Sequence, residues 1–256
     1  MKVVILAGGY GTRLSEETLL KPKPLVEIGG KPILWHIMKL FNHYNLNEFI
    51  ICLGYKGEMI KDYFSNYLTH NNDLFVDIQN GRVEHLHNKN ENWKVWLIDT
   101  GMETMTGGRM KRISNLVNGD TLLMTYGDGV SNVNIQELLD FHRKKGKLVT
   151  FTAVQPEGRF GVVHLDTDGT VKSFVEKPPG DGGWINGGFY VIDKRALDLI
   201  KGDDTIWERE PLETLASTRN LVGYKHYGFW KAMDTLSDKN NLESIWTSGK
   251  VPWKVW

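Results

Sequence analysis

The sequence predicts an α/β fold with a mixed, mostly parallel central sheet, flanking helices and small antiparallel insertions. Two observations support this prediction. Segments with apolar residues at every second position are separated by turn sequences, which is typical of antiparallel pairs. In the first half, strand-like runs alternate with helical patterns, as in βαβ units with parallel strands. These segments are VVILA (3–7), a helix near 32–44, FIICL (49–53), a helix near 57–67, and TLLMTY (121–126) followed by a helix near 134–145.

The alternating segments fall in two parts of the chain. Between 74 and 98, LFVDI, RVEHLH and WKVWLID are separated by Asn-Gly and Asn-rich turns, and we expect an antiparallel insertion outside the main sheet. In the second half, GVVHL and VKSFVEK flank the hairpin sequence DTDG, and NGGFYVI (186–192) predicts a further strand. Helical patterns complete the chain near 194–200, 207–217 and 235–247.

Composition excludes several classes of function. The 256 residues include 31 Lys+Arg and 31 Asp+Glu, so no excess of positive charge favours nucleic acid or an anionic membrane. The N-terminal apolar run is too short for a signal peptide, no stretch approaches the roughly 20 apolar residues of a membrane span, and we expect a cytoplasmic enzyme. Without a linker or a repeat, one domain over 1–256 is expected. Cys52, the single cysteine, is interpreted as a buried core thiol.

A glycine-rich turn follows the first predicted strand. Its glycines permit positive φ and can direct successive backbone N–H groups toward one anion, so the turn can cradle a triphosphate. The spacing fits neither GxGxxG, because Leu14 stands where the third glycine belongs, nor GxxxxGK[ST], which disfavours a Rossmann oxidoreductase and a Walker-type site. A purely geometric role for the glycines stays open. The candidate nucleotide-binding residues of this turn are Leu6, Ala7, Gly8, Gly9, Tyr10, Gly11, Thr12 and Arg13.

Basic residues follow closely after this turn. Lys23 lies in the sequence KPKP, where the prolines stiffen the backbone and hold the ammonium group at low entropic cost. Phosphoryl and nucleotidyl transfers depend mostly on positioning and electrostatic stabilisation. Arg13 would therefore bind the leaving phosphates, and Lys23 would lie near the α-phosphate. Lys21 is interpreted as a surface lysine.

LAGGYGTRL followed by KPKPLVEIGGKP resembles the signature of the sugar-phosphate nucleotidyltransferase family, and TGGRMKR, YGDG, VEKP, INGGF and MDT extend the similarity over essentially the whole chain. The resemblance implies a Rossmann-like nucleotidyltransferase fold, with a nucleotide-binding half near 1–130 and a sugar-binding half near 131–256, and a homo-oligomer. SEETLLKPKPLVEIGGKPILWHIM, MTGGRMKR and VPWKVW are most similar to members that join CTP to glucose 1-phosphate. CDP-glucose and pyrophosphate would be the products.

The same resemblance implies a magnesium site and a catalytic set. Asp128 in YGDG and Asp234 in MDT, each of which could otherwise be a turn or cap residue, would hold Mg²⁺ together with phosphate oxygens and waters. Asp128, Arg13 and Lys23 would be catalytic, and Gly127 would leave room for the nucleotide phosphates.

Sugar-phosphate binding is implied for residues of the second half. Lys177 would meet the phosphate of the sugar 1-phosphate, while Glu176 would accept hydrogen bonds from sugar hydroxyls. Asn186 and Gly187 would approach the sugar ring, with Gly161 as a weaker companion.

Thr104, Thr106 and Arg109 complete the implied nucleotide site, although residues of this segment could simply cap the helix that follows. His85 and His87 share one face of a predicted strand, but they lack a third ligand and are interpreted as surface histidines.

The implied chemistry is an in-line attack by a sugar-bound phosphate oxygen on the α-phosphorus of the nucleotide, which needs no covalent nucleophile. Two alternatives stay open. The loop, Lys23, Asp128 and Lys177 would serve dTTP or UTP equally well, so the preference for CTP depends on the resemblance alone. The second alternative is a non-catalytic regulator that binds sugar nucleotides.

Overall fold

The computed structural model describes residues 1–86, 90–158 and 160–256. Its strands, in chain order, are β1 (Val3–Leu6), β2 (Glu27–Ile28), β3 (Lys31–Pro32), β4 (Glu48–Leu53), β5 (Leu74–Asp77), β6 (Arg82–His85), β7 (Lys94–Asp99), β8 (Thr121–Tyr126), β9 (Gly129–Ser131), β10 (Val149–Val154), β11 (Val162–Leu165), β12 (Val171–Val175), β13 (Ile185–Asp193), β14 (Leu221–His226) and β15 (Trp230–Ala232).

The α-helices are α1 (Ser15–Thr18), α2 (Ile33–His43), α3 (Gly57–Ser65), α4 (Tyr67–Asn71), α5 (Thr106–Arg112), α6 (Ile135–Lys145), α7 (Glu210–Ser217) and α8 (Leu236–Thr247). Short 3₁₀ turns cover Thr12–Leu14, Lys23–Leu25, Ser114–Leu116, Pro179–Gly182 and Lys194–Leu199. Throughout the three described ranges, every helix is too short or too polar to traverse a lipid bilayer.

A seven-stranded sheet organises the chain in the order β14-β10-β13-β8-β1-β4-β7. Strands β7, β4, β1 and β8 run parallel, and β14 runs parallel to β10. Strand β13 is antiparallel to both of its neighbours, β8 and β10. The predicted α/β fold with a mixed, mostly parallel sheet is confirmed, and strands from both halves of the chain share that sheet.

The predicted insertion between 74 and 98 is wrong in its last strand. β5 and β6 form an antiparallel pair outside the main sheet, as expected. The segment WKVWLID instead supplies β7, an edge strand parallel to β4. Val95 and Leu97 pack on one side of the sheet, while Trp96 and Ile98 pack on the other. A strand with apolar residues on both faces belongs to a sheet covered on both sides, so its period-two pattern was misleading.

Apolar layers cover both faces of the sheet. Val3 and Ile5 of β1 pack in the same cluster as the apolar face of α2, which is buried. The alternate residues Val4 and Leu6 pack with Met110 of α5 on the other face. Cys52 lies in that second layer, where burial raises the pKa of its thiol to about 12, so the interpretation as a core residue is confirmed.

Candidate active site

The glycine-rich turn and Asp128 meet at one edge of the central sheet. β1 and β8 are neighbouring parallel strands, with Leu6 opposite Tyr126, so the segments that follow them leave the sheet at the same edge. Ligands of open α/β sheets bind at the carboxyl ends of the strands. A cleft of about 350 Å³ lies there and is called the nucleotide cleft. All residues predicted to bind the nucleotide line it: Leu6, Ala7, Gly8, Gly9, Tyr10, Gly11, Thr12, Arg13, Lys23, Thr104, Thr106, Arg109 and Gly127.

The glycine turn offers backbone donors to this cleft. Among the described residues, no protein acceptor takes a hydrogen bond from the backbone N–H of Gly9, Tyr10 or Gly11. Successive unpaired N–H groups are suited to phosphate oxygens. Gly11 has a φ of +65°, and a Cβ atom there would lie 2.9 Å from Thr18 Cγ2 and 3.3 Å from Lys23 Cβ. Glycine at this position therefore lets the turn pack directly against the catalytic lysine candidate.

Two cations and two carboxylates that are distant in sequence form one cluster at the cleft. Lys23 Nζ donates to Asp128 Oδ2 at 2.7 Å and to Asp234 Oδ1 at 2.8 Å. Arg13 Nη1 donates to Asp234 Oδ2 at 2.9 Å. The structure thus brings together all four residues predicted for catalysis and metal binding, and Lys23 is at its centre.

Lys23 is the most enclosed member of this cluster, with only 10% of its side chain exposed. Burial by itself would lower the pKa of its ammonium, but the carboxylates of Asp128 and Asp234 outweigh that effect and raise the pKa. Lys23 is therefore a fixed cation at neutral pH, which is what stabilisation of a negatively charged transition state requires.

The carboxylates have the chemistry of a magnesium site. Asp128 and Asp234 contact the same ammonium, so they are close neighbours, and their side chains are 32% and 23% exposed. Within the described part of the chain, no group of three or more His, Cys, Asp or Glu side chains could hold a metal. Mg²⁺ usually takes one or two carboxylates together with substrate phosphates and waters, so this pair fits it.

Arg109 lines the nucleotide cleft, but its guanidinium donates hydrogen bonds to the protein itself. The side chain is buried, and its guanidinium holds the glycine turn to the ends of β4 and β7. A Cβ atom at Gly8 would lie 2.2 Å from Arg109 Nη1, so this close packing requires glycine. These contacts support an indirect role in nucleotide binding. The acceptors are Leu53 O (2.8 Å), Thr100 Oγ1 (2.7 Å), Gly101 O (2.8 Å), Gly8 O (3.1 Å) and Met102 O (3.2 Å).

Replacing Arg109 by Ala is expected to lower the free energy of unfolding by about 3 kcal/mol, because it removes the hydrogen bonds that join the glycine turn to the ends of β4 and β7 and leaves a cavity where a buried side chain stood. Urea unfolding followed by circular dichroism measures this. Arg112→Ala is the matched control, since Arg112 forms a solvent-exposed pair with Asp203 and should cost less than about 1 kcal/mol. An Arg109→Ala protein with unchanged stability that binds nucleotide poorly would instead make Arg109 a direct ligand.

A second cavity of about 370 Å³ adjoins the nucleotide cleft and shares Arg13, Tyr126 and Asp128 with it. We call it the sugar cavity. Asn186 and Gly187, both predicted to contact the sugar, line it. Asp128 therefore stands where the two cavities meet, and Asp234 lines the sugar cavity alongside it.

Glu208 and Trp230 also line the sugar cavity, and no sequence motif predicts either residue. The Glu208 carboxylate accepts hydrogen bonds from the Tyr126 hydroxyl and, at 2.6 Å, from Thr106 Oγ1. Trp230 Nε1 donates to Gly187 O at 2.7 Å. Glu208 thus connects the sugar cavity to a residue of the nucleotide cleft. The segment TIWEREP carries no motif, so only the fold reveals this position.

The remaining predicted sugar-phosphate residues do not line either cavity and flank the β11–β12 hairpin, with Gly161 just before it and Glu176 and Lys177 just after it. A Cβ atom at Gly161 would lie 3.1 Å from Glu176 Oε2, so Gly161 and Glu176 are neighbours. The side chains of Lys177 and Glu176 are 62% and 63% exposed, and Lys177 Nζ lies 3.9 Å from Glu176 Oε1. Their role in sugar-phosphate binding stays a prediction. His85 is exposed on β6, and His87 lies outside the described residues.

Residues 2–247 match the sequence model of the nucleotidyl transferase family, and the chain belongs to that family. It is 54% identical to the glucose-1-phosphate cytidylyltransferase of Salmonella typhi and 45% identical to the probable glucose-1-phosphate cytidylyltransferase of Bacillus subtilis, each over 100% of both chains. Among solved structures, it resembles HddC from Yersinia pseudotuberculosis complexed with GMP-PN, with a TM-score of 0.70, 23% identity, and coverage of 96% of this chain and 99% of that one. The last comparison supports the fold.

Proposed function

We propose that this protein transfers a cytidylyl group from CTP to α-D-glucose 1-phosphate in the presence of Mg²⁺, giving CDP-glucose and pyrophosphate. The observation that carries the proposal is the Lys23-centred cluster at the junction of the nucleotide cleft and the sugar cavity. The choice of cytosine and of glucose is supported by the full-length relatives at 54% and 45% identity.

The two cavities suggest how the substrates meet. The triphosphate accepts hydrogen bonds from the backbone of the glycine turn, and Arg13 neutralises its outer phosphates. An oxygen of the sugar phosphate forms a bond to the α-phosphorus, the bond between the α-phosphorus and the bridging oxygen breaks, and pyrophosphate leaves. Lys23 supplies positive charge at the reacting phosphorus. Asp128 and Asp234 would hold Mg²⁺, which neutralises phosphate charge when bound.

The placement of the cavities supports the proposed division of one domain over 1–256. The nucleotide cleft is lined by residues between Leu6 and Asp128, whereas the sugar cavity adds residues from Asn186 to Asp234. We infer a nucleotide-binding half near 1–130 and a sugar-binding half near 131–256, in an enzyme of the cytoplasm.

We also infer a homo-oligomer, because the β11–β12 hairpin exposes several large apolar side chains. Leu165, Val171 and Phe174 are 60%, 55% and 61% exposed. A second copy of the chain would remove such side chains from water. Light scattering after size-exclusion chromatography measures the assembly.

Lys177→Ala is expected to raise KM for glucose 1-phosphate by about tenfold or more, since a charge-assisted hydrogen bond contributes roughly 1.5–3 kcal/mol. CTP binding without sugar should stay near wild type. Steady-state kinetics and titration calorimetry measure the two effects. Lys172→Ala is the matched control, because Lys172 lies on the adjoining hairpin and its side chain is 60% exposed. It should change neither KM for glucose 1-phosphate nor CTP binding. Loss of CTP binding in Lys177→Ala with an unchanged sugar-phosphate KM would contradict the assignment.

The proposed reaction is tested by incubating the protein with CTP, glucose 1-phosphate and Mg²⁺ and separating the products by anion exchange with mass detection. CDP-glucose and pyrophosphate should appear in equal amounts, and excess EDTA should stop their formation. Full turnover in EDTA would contradict the metal assignment. Nucleotide binding without any product from folded protein would favour a regulator instead.

A further inference from the structure

A third cavity of about 400 Å³ shares none of its lining residues with the nucleotide cleft or the sugar cavity. It lies between the β2–β3 pair and the α3–α4 helices, and we call it the β2–β3 cavity. Its volume falls within the range of small-molecule sites. The residues that line it are Lys21, Leu25, Glu27, Gly30, Lys31, Pro32, Met59, Tyr63, His70 and Asn71.

Lys31 gives this cavity an uncompensated positive charge. Its Nζ donates to the neutral amide oxygen Asn71 Oδ1 at 2.5 Å. In the part of the chain that the structure describes, no carboxylate lies within ion-pairing distance of Lys31. Lys21, the second lysine of the cavity, pairs with Glu27 at 3.1 Å, and Glu27 is 51% exposed. Exposed pairs of this kind are weak, so an anion can compete with Glu27 for Lys21.

Tyr63 adds an unsatisfied donor. Its hydroxyl oxygen is buried and has no hydrogen-bond partner among the described residues. Burial raises the pKa of this phenol, so the hydroxyl keeps its proton. A buried polar group without a partner costs about 1–3 kcal/mol and calls for an acceptor that the protein itself does not provide here.

The wall of the cavity continues into the active site. Lys21 and Leu25 line the β2–β3 cavity, whereas Lys23 and Pro24 between them line the nucleotide cleft. The intervening turn is tight, because Leu25 N donates to Pro22 O at 2.8 Å. Two prolines restrict the backbone of this segment. A ligand bound to Lys21 would therefore contact the same short, stiff segment that carries Lys23.

We propose that the β2–β3 cavity is a second ligand site for a small phosphorylated sugar, and that its occupancy shifts Lys23 and so changes kcat. The phosphate would contact Lys31 and Lys21, and Tyr63 would donate to a ligand oxygen. Glu27 and Asn71 offer acceptors for sugar hydroxyls, and the cavity has room for more than a phosphate ion. The effect on kcat rests on the proposed function, whereas the binding site does not.

Binding is measured by titration calorimetry with glucose 6-phosphate as the probe and no nucleotide present. We expect glucose 6-phosphate to bind more tightly than inorganic phosphate, and glucose not to bind. Lys31→Ala should weaken binding about tenfold or more, and Tyr63→Phe should weaken it less. Lys31→Arg, which keeps the charge, should restore most of the affinity.

Lys61→Ala is the matched control, because Lys61 is an exposed residue of α3 that does not line the cavity. It should bind the probe as wild type does. The proposed site would be overturned if titration with millimolar glucose 6-phosphate released or absorbed no heat of binding. It would also be overturned if Lys31→Ala and the wild type bound glucose 6-phosphate with equal affinity. Inorganic phosphate binding as tightly as glucose 6-phosphate would overturn the sugar part of it.

The coupling is tested by adding glucose 6-phosphate to the transfer reaction at saturating CTP and glucose 1-phosphate. The wild type should change kcat by about twofold or more, whereas Lys31→Ala should keep basal kcat and show no response. Probe binding with an unchanged wild-type kcat would overturn the link to Lys23. Probe binding at this cavity in a protein that forms no CDP-glucose would contradict the proposed function and support the site.

Discussion

Asp128→Asn is expected to lower kcat by about 10³-fold while the protein stays folded, an effect of the size seen when one preorganised electrostatic group is lost. The change removes a negative charge from the position where the two cavities meet, with almost no change in side-chain size. Lys23 keeps its second partner, Asp234, at 2.8 Å. Pyrophosphate release over a Mg²⁺ titration measures the loss, and thermal unfolding checks the fold.

The matched control is Asp140→Asn. Asp140 is an exposed carboxylate on α6 that pairs with Arg143 on the same helix. Its replacement should change kcat less than about twofold, because surface pairs contribute little. If Asp128→Asn loses folding in proportion to activity, Asp128 is a structural residue and the metal assignment is wrong.

Lys23→Ala is expected to lower kcat by about 10²–10³-fold with a smaller effect on KM for CTP. In the proposed reaction the cation lies where charge develops at the α-phosphorus, so its interaction would be stronger in the transition state than in the ground state. The same change removes the ammonium from both carboxylates, so Mn²⁺ should bind the nucleotide-free variant more tightly than the wild type. Electron paramagnetic resonance of free Mn²⁺ measures this without turnover.

Lys61→Ala provides the control, because Lys61 is an exposed lysine on α3 that lines neither the nucleotide cleft nor the sugar cavity. It should leave kcat within about twofold of wild type. A Lys23→Ala variant that raises KM for CTP at unchanged kcat would show that Lys23 binds ground and transition states equally.

Much of the lining of the nucleotide cleft could be predicted because its largest group of residues is contiguous. One strand followed by one glycine turn supplies Leu6 to Arg13, and the rule that ligands bind at the carboxyl ends of parallel strands places Asp128 beside them. The apolar face of α2 was predictable for a similar reason, since helical periodicity is a local property.

Features that depend on tertiary contacts could not be predicted. Glu208 reaches the sugar cavity through hydrogen bonds to Tyr126 and Thr106, residues far away in sequence. The resemblance assigns Arg109 to the nucleotide site, but only the fold shows that carbonyl groups of the protein accept hydrogen bonds from its guanidinium. Strand β7 joins the main sheet because both of its faces are covered, which its alternating pattern does not reveal.

Cytidylyl transfer to glucose 1-phosphate is tested by measuring kcat/KM for pyrophosphate release with CTP, dTTP, UTP and GTP at saturating glucose 1-phosphate. Because kcat/KM compares transition-state binding, one ranking reports base preference regardless of differences in ground-state affinity. We expect CTP to give the highest value, and we expect none of the four nucleotides to release pyrophosphate when glucose 1-phosphate is replaced by glucose 6-phosphate, which presents no phosphate at C1. A higher kcat/KM for dTTP or UTP than for CTP would contradict the assignment.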